Sequence, residues 1–101
     1  MILKALIGLA LVLFEANCAI AEQVKLAVTS SFHNSGLSDH LIPHAEADLA
    51  LDIQLLVVGT GQALKLGKNG DVDAILVHSR PDEEEFVKSG FAKYRREIMF
   101  N

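Results

Sequence analysis

One cysteine, Cys18, is all the chain contains, and it falls in a stretch that reads as a leader removed on export. The mature chain would then have no disulfide, no cysteine metal site and no thiol nucleophile, which suits an oxidising envelope compartment. Basic residues are also scarce: nine Lys and Arg stand against 13 Asp and Glu, a formal net charge of −4. That balance argues against a non-specific nucleic-acid surface. It leaves room for an anion ligand, provided local dipoles rather than net charge build the site. No apolar run approaches the about 20 residues of a membrane-spanning helix, and no repeat, linker or low-complexity tract appears. Several chemical signatures are absent too. Gly59-x-Gly61 meets Leu64 where a dinucleotide fingerprint needs its third glycine. Gly67-Lys68 is followed by Asn69 and preceded five residues earlier by Gln62, so a P-loop fails. There is no HExxH, and no serine, Ser79 included, sits in G-x-S-x-G.

What is present begins with a secretory pattern. Met1 to Lys4 supplies one positive charge, Ala5 to Phe14 is continuously apolar, and Ala19-Ile20-Ala21 offers a small-residue cleavage site. The expected division is a signal peptide over residues 1–21 and a mature chain of residues 22–101 starting at Glu22. Lipidation at Cys18 ranks second, because Glu15-Ala16-Asn17 is a poor lead-in.

Strand-like and helix-like segments alternate in the mature part. Val24–Val28 alternates as a strand. Thr29 to Gly36 reads as a polar loop, and Leu37, Leu41, Ile42, Ala45 and Leu49 recur at helical spacing with Pro43 at the start or at a kink. Ile53–Val58 is apolar apart from Gln54 and predicts a strand covered on both faces. A helix follows through Ala63, Leu64 and Leu66, with Gly67 and Gly70 as stops. Asp73–Val77 predicts a third buried strand. Pro81 fits the first position of a third helix that Gly90 ends, and Asp82 to Glu85 complement its positive end, most simply as a solvated start. Ile98–Phe100 opens another strand-like run as the chain stops, which suggests that the rest of a longer protein is its partner. The pattern is α/β with parallel βαβ units.

Ligands of parallel sheets bind beyond the carboxyl ends of the strands. Thr29-Ser30-Ser31 and Gly59-Thr60-Gly61 lie there, each before a helix whose free N–H groups carry partial positive charge. Hydroxyls and amides donate without charge of their own, which suits a fully ionised oxyanion. Caps and tight turns use the same residue types, so both readings stand. His78, at the end of the third strand, is a candidate cleft residue or a structural histidine. Arg95-Arg96 is a charged clamp or a surface pair. His40 and His44 make at most half a zinc site, and Asp71 and Asp73 belong to the opposite end of the third strand.

The block Val58-Gly-Thr-Gly-Gln-Ala-Leu64, with Thr29-Ser30-Ser31, Asn34-Ser35-Gly36-Leu37, Gly70-Asp71-x-Asp73, Leu76-Val-His-Ser79, Glu85-Phe-Val87 and Arg95-Arg96-x-x-Met99-x-Asn101, resembles the tungstate-binding component of bacterial ABC transporters, a branch of the type II periplasmic binding proteins. The resemblance runs from about Leu26 to Asn101. It implies that residues 22–101 are a partial lobe of a two-lobed fold, without the second lobe. It further implies an oxyanion ligand held by Thr29, Ser30, Ser31 and Thr60 with Gly59 and Gly61 as backbone donors and an arginine, Arg95 or Arg96, assisting. No cofactor or metal is expected, the protein would be a periplasmic monomer, and its partners would be the oxyanion and an ABC permease. The family's first loop is a threonine run ending in serine, whereas Val28 and Phe32 flank the hydroxyls here. The competing expectations are a binding protein for molybdate, sulfate or phosphate, a truncated product without stable function, and a fragment of an anion-processing enzyme. Phosphate can carry a proton and would want an acceptor carboxylate, which neither loop has.

Overall fold

The computed structural model describes residues 22–100. The expected leader, Cys18 with it, and Asn101 lie outside the described residues. Three parallel strands form one sheet in the order β2-β1-β3: β1 Glu22–Thr29, β2 Leu51–Val58 and β3 Ala74–Leu76. Four helices connect or follow them: α1 Ser30–Asn34, α2 Leu37–Leu49, α3 Thr60–Lys68 and α4 Arg80–Lys88. The α/β class expected from the alternation is therefore the class observed.

The centre of the sheet is the carboxyl half of β1. Ala27 and Val28 are fully buried and Thr29 is 3% exposed, because small and β-branched side chains fit beneath helices on a strand paired at both edges. Ala63 of α3 and Phe86 of α4 complete the described core. Asp73 locks the amino-terminal end of the β1–β3 pair: its carboxylate accepts from the Lys25 N–H at 2.8 Å, and its own N–H donates to the Lys25 carbonyl at 2.9 Å. The aspartates thus sit where the sequence put them, away from the strands' carboxyl ends.

Several local expectations need correction. The segment after β1 is not all loop: Thr29 Oγ1 accepts from the Phe32 N–H at 3.3 Å and starts the short helix α1. β2 is not covered on both faces. Asp52, Gln54 and Val57 are exposed, the last at 41%, and among the described residues β2 is an edge strand; an apolar run records a capacity for cover, and the helices packed on the sheet do not supply it on both faces. Ile98–Phe100 forms no strand and is exposed, having no neighbouring ladder to join. Gly67 does not stop α3. It lies inside that helix, where an added Cβ would come within 2.7 Å of the Phe86 ring, and the turn beyond the helix falls to Gly70 at φ +75°. Pro43 is accommodated in the interior of α2, and Pro81 follows Arg80 rather than leading α4.

Candidate functional site

The register brings the three carboxyl ends level. Thr29 pairs with Val58, and Val28 pairs with Leu76, so the loops carrying Ser30, Thr60 and His78 leave the sheet on one side. After β1 the chain moves to β2, and after β2 it crosses back to β3 on the far side of β1. The β1–β3 boundary is therefore a topological switch point, where loops diverge and a crevice opens. A cavity of about 560 Å³ occupies that place, lined among others by Thr29, Ser31, His78, Arg95 and Arg96.

Its polar floor is a short chain of hydrogen bonds. Thr29 Oγ1 lies 3.1 Å from Ser31 Oγ, which lies 3.4 Å from His78 Nε2. Because Thr29 Oγ1 already accepts from Phe32, its own hydroxyl hydrogen can go to Ser31, freeing the Ser31 hydroxyl to donate to His78 or to a guest. Thr29 is buried, while Ser31 and His78 are exposed towards the crevice they line.

Charge enters from α4 and the segment after it. Arg80, Arg95 and Arg96 line the cavity together with Glu83 and Glu97. Arg95 Nε donates to Glu83 Oε1 at 2.9 Å, with side chains 23% and 16% exposed. The other Glu83 oxygen accepts from the Ser79 N–H at 2.8 Å. Glu83 is thus not the solvated helix start expected, but a strut fixing both the α4 entrance and Arg95. Arg80 pairs with Glu84 on the surface at 2.8 Å, and that hydrogen bond holds the Glu84 carboxyl below its ordinary range and raises the Arg80 guanidinium. Arg96 has no salt bridge among the described residues.

Of the expected site residues, Thr29, Ser31, His78 and Arg95 share this cavity. Ser30, Gly59, Thr60 and Gly61 stand at the same end of the sheet but do not line it. Ser30 Oγ instead reaches the Val58 carbonyl at 3.5 Å, and Gly59 caps α3 with no side-chain hydrogen bond, leaving first-turn N–H groups of that helix open. The strand order separates the two corners, since β2 lies on the side of β1 away from the switch point. Sequence reasoning missed Glu83. The pattern Ser79-x-x-Asp82 was a legible helix start, and Ser79 Oγ does donate to Asp82 Oδ2 at 2.7 Å. Nothing local announced the link between Glu83 and Arg95.

A parallel α/β layer whose crevice sits at a switch point, with hydroxyls, an imidazole and guanidinium groups around it, has the make-up of a ligand-binding lobe. The chain belongs to the family described as PBP superfamily domain, which matches residues 17–101. It is similar to the tungstate-binding protein TupA of Peptoclostridium acidaminophilum, 46% identical over 76 residues, which cover 75% of this chain and 27% of that protein. Among solved structures it is similar to the tungstate-binding protein TupA from Desulfovibrio alaskensis G20, with a TM-score of 0.71 and 43% identity over 74% of this chain and 30% of that one. The tungstate ABC transporter structure from Geobacter sulfurreducens matches with a TM-score of 0.66 and 44% identity over 70% of this chain and 31% of that one. The chain therefore spans about a quarter of the length of the curated relatives it matches.

Proposed function

We propose that residues 22–101 are the first-lobe portion of a periplasmic solute-binding protein that captures tungstate, or a similar tetrahedral oxyanion, for an ABC importer. In this reading residues 1–21 are a cleaved signal peptide, the ligand is held without catalysis, cofactor or metal, and the protein acts as a monomer that delivers to a permease. The carrying observation is the crevice itself: Thr29, Ser31 and His78 at the β1–β3 switch point, with Arg96 beside them free of any ion pair among the described residues.

A fully ionised dianion accepts hydrogen bonds and donates none. Ser31 meets that need without adding charge, Thr29 orients Ser31, and His78 offers an N–H in the appropriate tautomer. Arg96 supplies a cation, whereas the charge of Arg95 is matched by Glu83. The open first turn of α3, with Gly59, Thr60 and Gly61, supplies further donors from the adjacent corner, and Ser30 ties that corner to β1. Relatives named for tungstate binding favour that anion over phosphate, whose protonated form would want an acceptor carboxylate. Glu83 is engaged by Ser79 and Arg95, but Glu97 also lines the crevice, so the preference over phosphate rests on the relatives alone.

Calorimetric titration of the chain with tungstate, molybdate and sulfate tests the proposal. Saturable binding of tungstate is expected, and Ser31→Ala should weaken it by about 1.5–3 kcal/mol, the value of a hydrogen bond to a charged acceptor. Thr60→Val should cost less, because Thr60 does not line the cavity. No heat with any of the three anions, from a chain whose circular dichroism shows it folded, would overturn the reading.

A further inference from the structure

Two of the four histidines are engaged and two are not. His33 Nδ1 lies 2.6 Å from Ser38 Oγ, and His78 Nε2 lies 3.4 Å from Ser31 Oγ. His40 and His44 are exposed on α2, and neither ring makes a hydrogen bond among the described residues. Four residues apart, they occupy one face of the helix. Their ring centroids are 5.2 Å apart, edge to face at 64°. Neither residue lines the crevice.

We propose that His40 and His44 form a bidentate surface site for a borderline divalent metal ion, Cu²⁺ ahead of Ni²⁺ and Zn²⁺. Imidazole suits these ions, and the affinity order follows from the ions rather than from the protein. Metal–nitrogen bonds of about 2.0–2.1 Å require two cis nitrogens about 3 Å apart. Side chains at i and i+4 of a helix start from Cβ atoms about 5–6 Å apart, a separation that two imidazoles can span to one ion. No group of three or more metal-ligating side chains exists among the described residues, so water completes the coordination and the ion stays exchangeable.

The position has a consequence for the helix. Pro43 lies between the two histidines and has no N–H, so the Asp39 carbonyl lacks its partner within α2. Ser38 is the one buried residue of α2, which leaves the helix weakly anchored. Chelation from residue 40 to residue 44 braces the turn that Pro43 weakens, and metal binding therefore stabilises α2.

The test titrates the purified chain with Cu²⁺, Ni²⁺ and Zn²⁺ chlorides in a non-coordinating buffer. One Cu²⁺ per chain is expected, broadening the imidazole proton signals of His40 and His44 before those of His33 and His78, and raising Tm. His40→Ala and His44→Ala should each lower Cu²⁺ affinity at least tenfold and abolish the rise in Tm. His40→Gln, which keeps a polar residue on the helix surface, should show the same loss. Broadening that begins at His33 or His78, or affinity within twofold of the parent in these variants, would overturn the proposal. Oxyanion binding plays no part in the readout, so the two proposals fail separately.

Discussion

Arg95 and Arg96 are adjacent in the chain and do different work. Arg95 is held by Glu83 at 2.9 Å in a partly buried pair, whereas Arg96 is exposed at the mouth of the crevice. Arg95→Ala should lower unfolding free energy by about 1–3 kcal/mol, since Glu83 would lose a charged partner while staying part-buried; urea melts measure it. Arg96→Ala should leave that melt unchanged and weaken tungstate binding in calorimetry. Equal effects of both substitutions on stability would contradict the division. Ala50 is a second informative residue. It ends α2 at φ 53°, the one non-glycine residue with positive φ among those described. Left-handed backbone costs an L-residue about 1–2 kcal/mol, so Ala50→Gly should raise stability, by up to about 1 kcal/mol after glycine's own entropy is counted. At Glu84, the carboxyl is lowered chiefly by its hydrogen bond to Arg80, so the pair's contribution is present above the unfolded carboxylate range and lost as pH falls through the folded value. Both side chains are more than half exposed, so Glu84→Gln should hardly change the melt at neutral pH and low salt.

Helix α3 and helix α4 meet at a glycine. An added Cβ on Gly67 would sit 2.7 Å from one Phe86 atom and 3.3 Å from another, and Phe86 also packs against Phe91 with centroids 5.6 Å apart. Gly67→Ala gains about 1 kcal/mol of helix propensity. It meets an overpacking cost of about 1–3 kcal/mol, because the buried Phe86 ring has little room to turn. Net destabilisation is expected, read as a lower urea midpoint with an unchanged slope; a rise in midpoint would mean that the ring moves aside freely. The same comparison shows why Gly67 was misread. Followed by Lys68, Asn69 and Gly70, it has the look of a stop, and only Phe86, nineteen positions on, reveals a packing contact. Thr29 was misread for a related reason: its capping bond to Phe32 turns a polar segment into a helix start, and a string of polar residues does not distinguish cap from loop.

Across the described residues the core is thin. Ala27, Val28, Ala63 and Phe86 are its buried apolar members, while Leu49, Val57, Ile98, Met99 and Phe100 remain exposed. Small chains bury proportionally less apolar surface, and that term dominates stability. The isolated chain should therefore melt broadly, below the roughly 45–65 °C range of ordinary domains, and bind a hydrophobic dye before it melts. A sharp transition above that range would show that the exposed apolar surface is covered in solution.

Hydrophobic period and turn chemistry were enough to place three strands and three of the four helices, and to expect the parallel class. Both are properties of neighbouring residues: alternation sets strand faces, and apolar run length separates strand from helix. The motif blocks likewise located Thr29, Ser31 and His78 at strand ends. The order β2-β1-β3 could not be read that way, because it depends on which strand edges pair after folding. That order makes β2 an edge strand, opens the crevice beside β3, and leaves Thr60 outside it. It also brings Ser31 against His78 across 47 residues of sequence, while the turn after α4 folds Arg95 back onto Glu83. Donors distant in the chain converge only once backbone pairing has chosen their neighbours.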